Sequence, residues 1–264
     1  SDNGGLSFTE INSGLGAREG EATAVEARAN FKELGWTKLD WSAGAWWRSV
    51  DAGFSVARFD IGADVEEYGV EVLGQFSPSF NVYARATRAE RDAESLTQVQ
   101  LTGEWRINEV ATLSGELRRI DEERLSGDAA GTLAALQYKH RFGTTLDLWA
   151  AAQLTVDDDS GAYADNDAVR VGAKYLFGDL SSIGGEVSTG DRGDAARIDA
   201  EYRLTPDHTF YGGYTYSTDR SDYDALFNNR LNSGWTLGQR WRLSNQVNVF
   251  NESQYLKAPN ETGL

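Results

Sequence analysis

From residue 23 onward, apolar and polar residues alternate with a period of two. The pattern is clearest over residues 96–121. There Val99, Leu101, Gly103 and Trp105 share one parity, and Gln98, Gln100, Thr102, Glu104 and Arg106 share the other. After Ile107-Asn108-Glu109, Ala111, Leu113, Gly115 and Leu117 oppose Thr112, Ser114, Glu116 and Arg118. Successive side chains of a strand point to opposite faces, so each arm has one apolar and one charged face. Each arm runs for about ten residues, enough to cross a bilayer as a tilted strand.

The same unit recurs along the chain. Val25, Ala27, Ala29 and Phe31 oppose Glu26, Arg28 and Asn30, and Val169, Val171, Ala173, Tyr175 and Phe177 oppose Arg170, Gly172 and Lys174. The pattern predicts about fourteen strands over 23–256, and no helical period matches it in strength. Residues 1–22 and 257–264 have loop-like composition. Short turns are expected near 33–35, 77–79, 107–109, 143–144, 178–180, 205–207 and 244–245, alternating strictly with longer polar loops. Such one-sided asymmetry is the pattern of outer-membrane barrels. Ser55–Ile61 could form a strand of its own, but an extra crossing would move every later short turn to the other side. Parity therefore places 50–66 in one long external loop.

Aromatic residues gather beside the short turns: Phe31, Trp36, Phe76, Phe80, Trp105, Phe142, Phe177, Tyr202, Phe210 and Trp241. Amphipathic rings favour the membrane–water interface, and barrels carry girdles of them. A soluble β-sandwich also alternates. Its inner face would favour larger residues than these Ala- and Gly-rich stripes. The expected fold is all-β, a transmembrane antiparallel up-and-down β-barrel, complete or part of a larger barrel, in a bacterial outer membrane.

Composition agrees. The 264 residues include no Cys and no Met, with 28 Gly and 11% aromatics. Without Cys there is no disulfide framework and no thiolate metal site. A net charge of -16 argues against a nucleic-acid partner, which needs a basic face. The mean hydropathy of -0.50 and the absence of a long apolar run exclude a membrane-spanning helix, but not strands that face lipid with every second residue.

Three stretches resemble the C-terminal outer-membrane barrel portions of very large, multi-repeat Gram-negative surface proteins. They are Gly16-Ala17-Arg18-Glu19-Gly20 with Glu26–Phe31, residues 168–178, and Arg242 to Tyr255. The resemblance implies location and architecture, not a reaction. It also implies a terminal aromatic strand, from which the loop-like Pro259 to Leu264 departs. An open sheet would leave unpaired edges in lipid, at prohibitive cost. The strands are therefore expected to close on themselves or to be completed by further chain or subunits, with the sequence an excised portion of a larger barrel.

The candidate functional residues are the charges of the polar parity: Arg28, Arg85, Glu104, Arg106, Glu116, Arg118, Lys139, Arg141, Arg170, Lys174, Arg197, Asp199, Glu201, Arg203, Arg240 and Arg242. In a barrel of this size they face a water-filled lumen and act as rings of charge that select ions. The competing expectation is that they pair across strands and only stabilise the wall. The acidic stretch Asp157 to Asp167 is expected to be a solvated loop. His140 falls on the lipid-facing parity, and His208 lies in the Pro206-Asp207-His208 turn. No catalytic triad, phosphate-binding glycine loop or metal-ligand cluster is visible, so neither an enzymatic reaction nor a cofactor is expected. The expected partners are the lipid bilayer and lipopolysaccharide. The expected function is a pore for ions and small solutes, or alternatively an anchor for large surface-exposed domains.

Overall fold

The computed structural model describes residues 20–54, 63–159, 161–178, 180–218 and 233–257. The Ser55–Ile61 stretch, residues 1–19 and residues 258–264 lie outside the described residues. The strands are β1 (Ala22–Asn30), β2 (Trp41–Val50), β3 (Val65–Ser77), β4 (Phe80–Arg91), β5 (Glu94–Arg106), β6 (Ala111–Glu123) and β7 (Ala129–Phe142). They continue with β8 (Leu146–Asp157), β9 (Ala168–Phe177), β10 (Ser181–Gly190), β11 (Gly193–Thr205), β12 (His208–Ser217), β13 (Ser233–Arg242) and β14 (Asn248–Lys257). All fourteen lie in one antiparallel up-and-down sheet, in chain order from β1 to β14. No helix among the described residues is long and apolar enough to cross a membrane.

The chain divides into two compact units. The first holds residues 1–105, 116–134 and 156–164; the second holds 106–115, 135–155 and 165–264.

In the first unit the strand register lines up Ala29, Ala43, Val72, Ala84 and Leu101 in one cross-strand row, and Ala27, Ala45, Val70, Ala86 and Val99 in the next. The opposite face carries Arg28, Gly44, Glu71, Arg85 and Gln100. In the second unit Leu148, Ala173, Gly185, Ile198, Tyr214 and Trp235 form an apolar row. Behind it lies the polar row Asp147, Lys174, Gly184, Asp199, Gly213 and Thr236. A one-residue slip would reverse every one of these assignments, so the alternation itself holds the register.

Among the described residues no protein layer covers the apolar face: Val70, Val171 and Ile198 are 53%, 52% and 49% exposed. The buried apolar side chains of the first unit are Val50, Ala63, Leu96, Ile120, Leu133 and Tyr163. Leu96, Ile120 and Leu133 belong to the polar parity, at the ends of β5, β6 and β7 away from the short turns.

The turns follow local chemistry. Between β5 and β6, the Asn108 side-chain carbonyl accepts from the Val110 and Ala111 amides at 3.0 and 2.9 Å. This is the self-bonding that suits Asn to turns. Strict alternation of short turns with long loops does not hold. The β1–β2 connection, expected to be short, spans 31–40, while β4–β5 and β10–β11, expected to be longer, turn at Asp92–Ala93 and Asp191–Arg192. The first tight turn is permitted by a left-handed Asp92 (φ 52°) and the second by Gly193 (φ 131°). Strands β3–β7 run past the apolar stripe, and their ladder uses up residues that the sequence pattern leaves to loops.

Candidate functional site

On the polar face, charges of both signs lie side by side within and between strands. In the first unit Arg28 pairs with Glu26 at 2.5 Å and with Glu71 of β3 at 3.4 Å. Arg85 of β4 lies over the Trp46 ring, 4.8 Å from its centroid. Glu116 accepts from Gln100 at 2.7 Å and from Arg118 at 2.6 Å. Glu104 lines a cavity of about 430 Å³ on this face, with Asp40, Gln75, Asn81, Tyr83 and Thr102.

In the second unit Asp147 is buried, at 4% exposure. Its two carboxylate oxygens accept from Arg141 Nε at 2.7 Å and Nη2 at 2.9 Å, and Lys139 Nζ lies 3.3 Å away. Arg170 faces Glu186 at 3.5 Å, Arg197 faces Asp199 at 3.5 Å and Arg240 faces Glu201 at 3.1 Å. Arg242 Nε donates to Asp207 at 2.7 Å, and Arg203 donates to the Pro206 carbonyl at 2.8 Å. Lys174 stands opposite Asp147 in the register, and Arg106 is an exposed residue at the end of β5. The candidate charges are thus largely paired, and most remain open to water. Exposed pairs contribute little stability each, about 0–1 kcal/mol. Asp147 is the exception in burial, and Asp147→Asn is expected to lower the denaturation midpoint. An unchanged midpoint would mean the Arg141–Asp147 fork stabilises nothing.

Three aromatic residues of the polar face were not anticipated as a group. Trp46, Trp149 and Tyr211 each sit directly opposite a glycine on the next strand: Gly69, Gly172 and Gly238. At each of these glycines a Cβ would collide with the facing ring. The rings therefore lie flat on the sheet. Trp149 Nε1 donates to Glu186 at 2.8 Å, and the Tyr211 hydroxyl donates to Glu252 at 2.7 Å. The Arg240 guanidinium covers the Tyr211 ring at 5.1 Å. A flat aromatic stacked under an arginine combines cation–π attraction with a rigid wall.

The aromatic residues expected at the interface lie on the apolar face at the short-turn ends. In the first unit Phe31 stacks on Trp36 at 5.5 Å, Trp41 meets Phe76 at 5.0 Å, and Phe76 meets Phe80 at 6.1 Å. Trp105 pairs in register with Phe80. In the second unit Tyr175 stacks on Phe177, and Tyr202 pairs with Phe210. The two histidines join this belt. His140 lies 4.4 Å from Phe142, and His208 lies 5.0 Å from Trp241 and 4.5 Å from Phe210. A further set of rings marks the loop-side ends: Trp47 and Tyr68 are register partners in the first unit, as are Trp235 and Tyr255 in the second.

Beyond that set, the apolar face of the first unit turns charged. Arg88 pairs with Glu90 at 2.6 Å and Glu123 at 3.5 Å, and Arg119 pairs with Asp121 at 3.1 Å and Asp157 at 2.6 Å. Arg88, Glu90, Arg119, Asp121 and Glu123 continue the apolar faces of β4 and β6, so they mark where the apolar band stops. The change of composition along one parity was visible in the sequence.

In the acidic stretch Asp157 to Asp167, Asp157, Asp159 and Asp165 are exposed, but one residue is not. Tyr163 is 4% exposed and lies against Gly131 of β7. No group of acidic and histidine side chains suited to a metal ion occurs among the described residues.

No protein-family model matches the chain, and no curated protein matches it. Among solved structures it is similar to a KdgM porin at 10% identity and a TM-score of 0.38, over 59% of this chain and 86% of that chain. It is also similar to mutant forms of the Rhodopseudomonas blastica porin. One aligns at 11% identity and a TM-score of 0.41, over 89% of this chain and 94% of that chain. Another aligns at 12% identity and a TM-score of 0.40 over the same shares. At such identities and TM-scores, the functional argument rests on this chain's own faces and side chains.

Proposed function

We propose that the chain forms an outer-membrane β-barrel whose polar face lines a water-filled passage for ions and small solutes. The observation that carries this is the pair of faces. In each unit one face is a continuous field of exposed Ala, Val, Leu and Ile bounded by aromatic rings, and the other is charged and wet. In water, an apolar field of this extent would drive aggregation. In lipid it is the favoured solvent contact. The interface aromatics would then sit at headgroup level, and the charged collar of Arg88 and Arg119 would lie among the polar headgroups of lipid or lipopolysaccharide. Strand edges in hydrocarbon require closure, through β1 and β14 or through further strands.

With the polar face turned inward, Arg28, Arg85, Arg118, Lys139, Arg141, Arg170, Lys174, Arg197, Arg203, Arg240 and Arg242 alternate with carboxylates around the lumen. Such a mixed wall passes both signs of ion and selects weakly between them. The direct test is single-channel recording of the purified, folded protein in a planar bilayer. Discrete conductance steps are expected, and the paired substitutions Arg170→Glu and Arg197→Glu should shift the reversal potential toward cation preference. A folded protein that inserts but never conducts would overturn the pore and favour the role of membrane anchor for surface-exposed domains.

A further inference from the structure

The loop between β8 and β9 carries the sharpest unexplained observation in the first unit. A tyrosine in a polar, Asp-rich loop should be free in water. Tyr163 is instead among the most buried of the described residues, at 4% exposure. Its ring occupies the space a Cβ at position 131 would need, coming within 2.5 Å of that site at Cγ and 2.7 Å at Cε1. Only glycine leaves that notch. Gly131 shares the parity of Leu133, and Leu133, Ile120 and Leu96 are buried at 4%, 2% and 7% exposure. These three belong to the face that elsewhere carries open, wet charges. Their burial requires a cover on the polar face at the loop-side end, and the loop bearing Tyr163 supplies one.

The loop is also shaped to stay there. The Gly161 and Tyr163 amides donate back to the Asp158 carbonyl at 3.1 and 3.0 Å, and Asp159 and Gly161 adopt left-handed φ of 48° and 87°. Asp159, in the same loop as the seated ring, is exposed.

We infer that the β8–β9 loop is folded inward over the polar face and seated by Tyr163 in the Gly131 notch, where it narrows the loop-side mouth of the passage and lends it the cation preference that the mixed wall lacks. Tyr163 is a positioning residue, and Asp159 is the charge it positions. The inference rests on the pore reading for its consequence, but the seat itself can be tested without any current.

The chain has no cysteine, so Gly131→Cys with Tyr163→Cys creates a unique pair. Oxidation of the folded protein should give an intramolecular cross-link that shifts its mobility on a gel, and failure to form it overturns the inward seat. In planar bilayers Tyr163→Ala should raise the unitary conductance and move the reversal potential in a salt gradient toward zero. Tyr163→Phe should leave both unchanged, and Asp159→Asn should move the reversal potential alone. A closed wild type opened by Tyr163→Ala supports the same conclusion. Wild-type conductance and selectivity in Tyr163→Ala overturns the gating role. If the cross-link forms but no variant conducts, the pore reading has failed, and the mouth function falls with it.

Discussion

Ile198→Arg is expected to destabilise the folded protein in lipid vesicles by about 2–4 kcal/mol, the cost of a guanidinium near the midplane of a barrel's lipid face. Ile198 lies on β11 between Ala196 and Ala200, with Gly185 and Tyr214 as its cross-strand partners. It is 49% exposed. In a water-soluble protein, a substitution at so open a position would stay within about 0.5 kcal/mol of neutral. The two environments thus predict different magnitudes for one change. Thr236→Arg, on the opposite face of β13, serves as the matched control and should cost little if that face is wet. Equilibrium unfolding by guanidinium in vesicles measures both. Equal, small effects would remove lipid as the solvent of the apolar face.

Gly172→Val should be the most damaging change on the polar face. A side chain there collides with the Trp149 ring, which lies flat over the glycine and donates to Glu186 at 2.8 Å. The indole must swing away, the hydrogen bond is lost, and forced overpacking of this kind costs about 1–3 kcal/mol. Trp149→Ala removes the obstacle, so the double variant should be more stable than the sum of the single effects allows. A coupling energy beyond about 0.5 kcal/mol would confirm the contact, and strict additivity would contradict it.

These cases mark how far the sequence carries. Alternation is a property of neighbours along the chain, so Val169, Val171 and Ala173 announce their face without help from the fold. At the short-turn ends the strands accordingly stop close to where the pattern does, whereas β3–β7 run past it at the other end. The aromatic rings of the polar face look like lapses in that pattern, because their cause lies on another strand. Trp46 is explained by Gly69, Trp149 by Gly172 and Tyr211 by Gly238, and only the register joins them. Tyr163 was harder still, since a loop has no period from which a buried ring could be read. Pairing of the charges was among the expectations, but which partner each takes was not legible. Whether Arg141 meets Asp147 or open water depends on side-chain reach across a hairpin. Turn lengths failed where β4, β5, β10 and β11 extend their ladders to tight turns at Asp92–Ala93 and Asp191–Arg192.

Among the described residues, each strand of the sheet pairs with its neighbours in the chain. Such an order has low topological cost, because every new hairpin docks on the one just completed and no segment must be threaded past another. It also makes the hairpin a modular unit of inheritance. Duplicating or deleting one adds or removes a pair of strands while preserving the inside–outside sense of all the others, so the width of such a sheet can change across generations without a new fold having to be discovered.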